Sequence, residues 1–296
     1  VETHMLKPYK KRVEGTYHLM VKMIEITDTD TKKIKELREL AFSKQLEMDY
    51  YPLQWEVDST RVSTLDFKGF EADTLTSEVT GLPRLKYDRN RPFTKSVAYK
   101  NNYKPSLMVE VPKAYIIKKG WKKIVDLLVK NQINYQTLQK DTTFLVESYK
   151  IATYNTYERP YEGHYPHYGT TVTKKSDSIR FSQGDFLVPT NQPGMRYLLE
   201  TLEPEAPDSF FNWNFFDTVL SRKEGFSPYV FEDVALKILQ ENESLNQEFQ
   251  LKKEMEADFA KNWYAQLDWL YTHSLYYESA HMQYPIYRIL KDSGLR

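Results

Sequence analysis

The spacing of apolar residues changes along this chain, and that change limits the folds open to it. Residues 11–26 carry apolar side chains at helical spacing, namely Val13, Tyr17, Met20, Val21 and Ile24. A second helix is predicted to begin after an N-cap at Asp30 and to end near Met48. From Tyr50 the pattern alternates instead, which is typical of strands. The chain therefore combines a helical beginning with a β-rich continuation.

The β-rich part begins as an antiparallel unit. Its predicted strands are a first one through Leu53, Trp55 and Val57, followed by short runs at 65–67, 74–80, 85–87 and 96–99. Turn-forming residues separate these runs at 81–83 and at 88–92. We expect this unit to be a sandwich or an open sheet.

A strand–helix–strand module follows. Extended segments are predicted at 107–111 and 114–117, a helix after Gly120 through about residue 129, and further strands at 135–138, 143–149, 170–173, 178–181 and 186–188. A short helix is expected at 194–202, ended by Pro204.

The last part is mainly helical. Helices are predicted at 230–242 and 251–273, with the polar stretch 240–253 forming either a loop or a solvated helical extension. Residues 284–288 are expected to return to a sheet edge. The fold class is therefore α+β, divided into 1–48, a β-rich region 49–190 with the small module, and a helical segment 191–296.

Composition excludes several functions. The chain has 41 Lys and Arg against 41 Asp and Glu, which argues against a nucleic-acid partner. No apolar run approaches the ~20 residues of a membrane span. The absence of Cys excludes disulfides and thiolate metal sites. The 23 Tyr residues suit either half-buried strand faces, the simpler interpretation, or an aromatic surface for peptide or carbohydrate.

The opening residues, from Val1-Glu2-Thr3-His4 through Pro8-Tyr9 to Arg12-Val13 and a helix, resemble the last strand-and-helix unit of the carboxypeptidase A-like zinc metallopeptidases, in a bacterial branch. Three further motifs, the runs 184–193, 202–205 and 213–217, resemble that branch's C-terminal extension. On this resemblance, we expect the chain to be the C-terminal part of a larger protein, with residues 1–48 the remnant of its catalytic domain.

The resemblance implies that Glu2 is the general base acting on a zinc-bound water. No His-x-x-Glu occurs in the sequence, so the zinc ligands of the family are expected upstream. His4 and Lys7 lie close to Glu2 and receive no role. The resemblance further implies a peptide substrate, a periplasmic or secreted location, and packing of the accessory region on its own catalytic domain.

The run 158–167 is a second candidate site. Glu162, His164 and His167 are metal-ligand types at short spacing, but Pro160, Gly163 and Pro166 exclude a helix. An unligated loop is the simpler interpretation. We favour a role for the run 213–217 in filling the hydrophobic core over a role in binding a ligand. Asp217 is expected to cap the helical turn that follows.

Two hypotheses of function remain. In the first, the intact protein is a zinc-dependent carboxypeptidase-like hydrolase, and this chain alone is inactive. In the second, the chain is a non-catalytic, aromatic-rich binding or structural module for peptide or carbohydrate. The first also predicts that helix 11–26 has an uncovered apolar face and is either mobile or prone to aggregation.

Overall fold

The computed structural model describes residues 3–5 and 7–290, and these form an α+β structure. The chain divides into two compact units, one made of the residues up to 47 and from 112 onward, the other of residues 48–111. The predicted segments 1–48, 49–190 and 191–296 do not coincide with these units, because strands from both later segments share one sheet in the first unit.

The strands of the described residues are β1 (Tyr50–Val57), β2 (Ser63–Thr76), β3 (Pro83–Tyr99), β4 (Tyr103–Glu110), β5 (Ala114–Ile117), β6 (Gln136–Thr137), β7 (Thr142–Thr156), β8 (His167–Phe181), β9 (Phe186–Pro189) and β10 (Gln283–Ile289). The helices are α1 (Tyr9–Thr29), α2 (Thr31–Leu46), α3 (Lys122–Lys130), α4 (Met195–Leu202), α5 (Pro228–Glu241), α6 (Glu243–Met255), α7 (Ala257–Ala260) and α8 (Trp263–Thr272). No described helix combines the length and apolar character that crossing a membrane would require.

The first unit is built on a six-stranded sheet in the order β6-β9-β5-β10-β7-β8, with every pair of neighbours antiparallel. The prediction that residues 284–288 return to a sheet edge is wrong. Strand β10 is interior, pairing with β5 on one side and β7 on the other. All six residues from Tyr284 to Ile289 are buried, as expected for a strand covered on both faces.

Strands β7 and β8 form a long hairpin. The two short strands predicted at 170–173 and 178–181 are a single strand, because the charged residues between them continue the pairing with β7 on an outer strand of the sheet. Lys174 and Lys175 are exposed, so this polar stretch meets solvent without a burial penalty.

Helices α3 and α4 confirm their predictions within a few residues. Helix α3 buries Ile124, Val125 and Leu128 along one side, and α4 buries most of its length, including Leu198 and Leu199. Both are short amphipathic helices that contribute to the core.

The helical segment near the end of the chain is more broken than its apolar pattern predicts. The expected helix 251–273 is interrupted, and the stretch 240–253 belongs mostly to helix α6. Asn242 and Asn262 each accept a hydrogen bond from a backbone N–H three residues later, so each N-caps a new helix. The segment has its own core of buried residues, Phe231, Ala235, Phe249, Phe259, Leu267, Leu270 and Tyr271.

Helices α1 and α2 confirm the two helices predicted at the start of the chain. Neither contains a buried residue among those described. Asp30 occupies the predicted N-cap position of α2, but its side chain makes no capping hydrogen bond.

The second unit, 48–111, contains two separate two-stranded sheets, β1 with β4 and β2 with β3. The turn predicted at 88–92 does not separate two strands, because these residues lie within β3; residues 88–91 form an irregularity between the pair of Ala72 with Tyr87 and the pair of Phe70 with Pro92. Pro92 pairs with Phe70 next to a β-bulge, and a two-stranded ribbon has open edges where Pro is tolerated. The turn at Gly81 is confirmed, with Gly81 at a φ of 70°.

Candidate functional site

Glu2, the residue assigned as general base by resemblance, lies outside the residues that the structure describes. The nearest described residue, Thr3, places its hydroxyl 3.1 Å from that of Thr16 on α1. His4 and Lys7 are both exposed. The described geometry thus assigns neither of them a role.

The apolar face of α1 is uncovered. Val13, Tyr17, Met20 and Ile24 are 48%, 63%, 58% and 68% exposed. A shallow depression of about 570 Å³ follows the first half of this face; it is lined by Thr3, Tyr9, Arg12, Val13, Thr16, Tyr17 and Met20. An apolar stripe of this length is normally covered in a folded protein.

The run 158–167 is a tight hairpin between β7 and β8. Tyr161 and His164 exchange backbone hydrogen bonds of 2.8 and 2.9 Å, with Glu162 at φ 49° and Gly163 at φ 78° between them. Two successive positive φ values are the signature of a type I′ turn. Glu162 is therefore at an exposed hairpin tip, and the His164 ring packs against Phe215 at 5.9 Å.

His167 lies apart from these residues and is buried. Its Nδ1 is 2.8 Å from the Thr156 hydroxyl, and its Nε2 is 3.1 Å from Asp217 Oδ1. The ring also packs edge-on against Tyr154 at 4.9 Å. Both ring nitrogens have protein partners, so His167 holds β8 to the following loops and does not face a ligand.

Asp217 does not cap the turn that it begins, contrary to expectation. The short 3₁₀ helix Asp217–Leu220 has no side-chain cap, and Asp217 accepts from His167 instead. Asn214 supports the arrangement from an unusual backbone conformation, at φ 65°. Its amide donates to the Tyr165 carbonyl at 2.8 Å, which ties this loop to the hairpin.

The run 184–193, which carries part of the resemblance, is structural. Buried Asp185 accepts hydrogen bonds from the backbone N–H of Lys119 and of Ser182, at 2.9 and 2.8 Å. Buried Gln192 accepts from the Asn134 N–H at 2.8 Å and donates to the Asn134 carbonyl at 3.1 Å. These side chains satisfy backbone groups where several loops meet.

The run 202–205 contributes to a buried charge network. Glu203 Oε1 lies 3.0 Å from Arg288 Nε and accepts a 2.5 Å hydrogen bond from the Tyr115 hydroxyl. Arg288 Nη1 also pairs with Glu147 on β7. The network joins β5, β7 and β10 with the segment after α4.

Burial has the largest effect on the pKa values of the tyrosines and of Arg288 in this network. It raises the pKa of Tyr115 and of Tyr149 well above the usual range, and the nearby Glu203 carboxylate raises both further. Burial by itself would lower the pKa of Arg288, but Glu203 and its other neighbours more than reverse this and raise it. The tyrosines are thus held neutral and Arg288 charged, as in a structural ion pair.

The run 213–217 lies partly in the hydrophobic core and partly at the surface. Phe216 is fully buried, with its ring 5.2 Å from Tyr284 and 4.9 Å from Trp121. Trp213 and Phe215 are half-buried. The prediction that this run fills the core therefore holds for Phe216. The other two rings contact the hairpin residues Tyr161 and His164.

The sequence pattern did not single out Arg288 or Glu203 as partners. The available signal was a charged residue inside the run Tyr284-Pro285-Ile286-Tyr287-Arg288-Ile289, where every neighbour suits a buried strand. A charge in such a run must have a partner, but periodicity cannot name it.

No group of three or more His, Asp or Glu side chains that could hold a metal ion occurs among residues 3–5 and 7–290. Glu162, His164 and His167 do not converge, and the described residues do not fit a zinc centre. Comparisons with protein-family models, with curated proteins and with solved structures find no match to this chain.

Proposed function

We propose that this chain is the C-terminal, accessory part of a zinc-dependent metallocarboxypeptidase-like peptide hydrolase, in which Glu2 is the general base. The sequence resemblance of residues 1–13 and of the three later motifs supports this. The zinc ligands would come from polypeptide outside this chain, because the described residues offer no such group.

The observation that carries the proposal is the uncovered face of α1. A helix of 21 residues with no buried side chain and an exposed apolar stripe suits packing against a further protein layer. In the proposed hydrolase, that layer is the catalytic domain whose last strand precedes Glu2. The accessory region would then pack on this domain and limit which peptides enter.

The roles of the later motifs agree with an accessory region. Asp185, Gln192 and Glu203 are buried and bonded within the fold, where no substrate could reach them. We therefore assign these motifs to stability and no catalytic step to them.

The experiment is an assay for zinc-dependent release of C-terminal residues from peptides. The chain joined to the polypeptide encoded upstream is expected to be active, and Glu2→Gln is expected to reduce kcat at least a hundredfold, the usual effect of losing a general base of about 10²–10⁴-fold. Glu14→Gln, an exposed change on α1, is the matched control.

Residues 1–296 alone are expected to be inactive. Peptide hydrolysis by the isolated chain, or full activity of the Glu2→Gln protein, would refute the proposal.

The alternative, a non-catalytic binding module for peptide or carbohydrate, has one specific observation in its favour. Tyrosines cluster around the β7–β8 hairpin, where Tyr157 and Tyr168 pack with ring centroids 4.5 Å apart and Tyr161 is 63% exposed. Exposed aromatic rings of this kind serve binding surfaces. Saturable binding of an oligosaccharide or peptide array ligand that Tyr161→Ala removes, without zinc-dependent activity of the extended protein, would favour this alternative.

A further inference from the structure

The C-terminal helical segment contains an open cavity of about 440 Å³. It lies between the start of α5 and the residues at and beyond the end of α8. Its lining combines aromatic rings and valines with one carboxylate, from Phe226, Phe231, Tyr271, Tyr276, Val230, Val234 and Glu224. This volume and this mainly apolar, aromatic lining are typical of small-molecule sites.

The aromatic walls are fixed by the core beneath them. The ring of Phe226 lies 5.0 Å from that of Phe231 and 5.2 Å from that of Tyr271, and Phe231 meets Tyr271 edge-on at 5.5 Å. Phe231 and Tyr271 belong to the buried cluster of this segment. These three rings are therefore preformed, and a ligand would not have to order them.

The charge of the lining favours cationic ligands over anionic ones. Glu224 is the single acidic side chain of the lining, which contains no Lys, Arg or His. The nearby guanidinium of Arg222, which lies over the lining ring of Tyr271, is already paired with Asp268. An anionic ligand would therefore meet the Glu224 carboxylate without a free cation in the lining, whereas a cation would be attracted by Glu224 and by the rings.

The same ring cluster already accommodates a cation from its own chain. The guanidinium of Arg222 lies 5.1 Å from the ring centroid of Tyr271 and 5.5 Å from that of Tyr277, while Asp268 accepts its hydrogen bond at 2.5 Å. Aromatic rings beside a carboxylate thus bind a cationic group here. Phe226, Tyr276 and Glu224 line the cavity together and offer it the same types of group, aromatic rings and a carboxylate.

We propose that this cavity binds an organic cation, an alkylated or quaternary ammonium group carried on an apolar body. The ammonium group would lie against the rings near Glu224, and the apolar body would contact Val230 and Val234. The proposal is independent of the peptidase hypothesis, because no residue of the cavity belongs to the motifs that carry that resemblance.

The probe is benzyltrimethylammonium, added to the full chain and measured by calorimetry or by chemical shifts of the aromatic rings. Benzyl alcohol is the neutral comparator and benzoate the anionic one. We expect saturable binding of the ammonium probe, binding at least about tenfold weaker for benzyl alcohol, and none for benzoate.

Two variants locate the site. Glu224→Gln is expected to weaken binding of the ammonium probe about fivefold to tenfold, and Tyr276→Ala by a similar factor. Matched controls are Glu232→Gln and Tyr229→Ala, exposed residues of α5 that do not line the cavity. Tyr276 is 66% exposed, so its truncation leaves the buried cluster intact.

The proposal fails if the ammonium probe does not bind saturably, or if benzyl alcohol binds equally well. It also fails if Glu224→Gln and Tyr276→Ala bind the probe as their controls do. Inactivity of the extended protein in the peptidase assay would leave this result unaffected, so the two proposals can be tested separately.

Discussion

At the scale of single residues, the charges inside the first unit are arranged for stability. Arg288 is almost completely buried on the interior strand β10 and is neutralised by Glu203 and Glu147. Such a pair stabilises little compared with an apolar replacement of both partners, yet removing one partner leaves a buried charge uncompensated.

We expect Arg288→Leu to lower the free energy of unfolding by about 3–5 kcal/mol, because Glu203 and Glu147 lose their cation. Arg180→Leu is the matched control: Arg180 pairs with Asp141 at 2.8 Å on the exposed face of β8, and its loss should cost less than about 1 kcal/mol. Denaturant titration of both variants measures the difference. Equal effects would contradict a structural role for the Arg288 network.

Glu205, two residues after Glu203, makes a pH-dependent contribution to the free energy of unfolding. Burial raises the pKa of Glu205 above its ordinary value of 4.5, although Lys174 and the backbone N–H of Val172 act in the opposite direction. The folded protein therefore keeps a proton on Glu205 at pH values where the unfolded chain has released it. This contribution to stability is complete below pH 4.5 and is lost as the pH rises through the higher folded value.

We expect the stability of the wild type relative to Glu205→Gln to decrease as the pH rises from 4.5. Since the amide does not titrate, the difference between the two unfolding free energies isolates the contribution of Glu205. Glu232→Gln, at an exposed site, controls for the loss of one charge. A difference that stays constant or increases with pH would show that the carboxyl is not destabilised by burial.

At the scale of elements, local sequence was a good guide wherever an element is amphipathic. Helix α3 follows its apolar spacing. The alternation around Trp55 also predicted a strand correctly, although the burial along β1 does not alternate. The predictions failed where polar residues interrupted a pattern. Residues 88–92 were predicted to be a turn, but they lie within β3, where 88–91 form an irregularity opposite one residue of β2 and the pairing resumes at Pro92. Conversely, Asn262 ended a continuous apolar pattern, because its side chain caps a new helix.

Helix α1, like α2, buries no side chain, so its stability depends little on packing among the described residues. Because no α1 side chain is buried, we expect its backbone amides to exchange with solvent much faster than those of α3, which buries Ile124, Val125 and Leu128. Hydrogen exchange followed by mass spectrometry on the monomeric chain measures both helices together. Protection of α1 equal to that of α3 would contradict the interpretation of its apolar face as uncovered.

At the scale of the whole molecule, the chain leaves the first compact unit after residue 47, forms the second unit, and returns to the first at residue 112. Residues 48–111 form a unit whose two ends meet, since the Val111 N–H donates to the Asp49 carbonyl at 2.8 Å. All six strands of the larger sheet lie outside this unit. The smaller unit therefore resembles an insertion placed at a point where the chain ends are close.

We expect the first unit to fold without the second. A variant in which a short Gly-Ser linker replaces residues 48–111 should keep its secondary structure and unfold cooperatively, because the β6-β9-β5-β10-β7-β8 sheet loses no strand. Circular dichroism and denaturant unfolding measure this, with Arg288→Leu in the same background as the control for an intact sheet. An excised chain without cooperative unfolding would show that the two units fold as one.

The sequence by itself determined the α+β class, most of the element positions and the lack of a long apolar run, because these depend on periodicity and composition within a short window. The tertiary structure alone decided that β10 lies between β5 and β7, that Glu203 and Arg288 are partners, and that His167 and Asp217 meet. These are contacts between residues far apart in the chain, and a local pattern can show that a buried charge needs a partner without showing which residue supplies it.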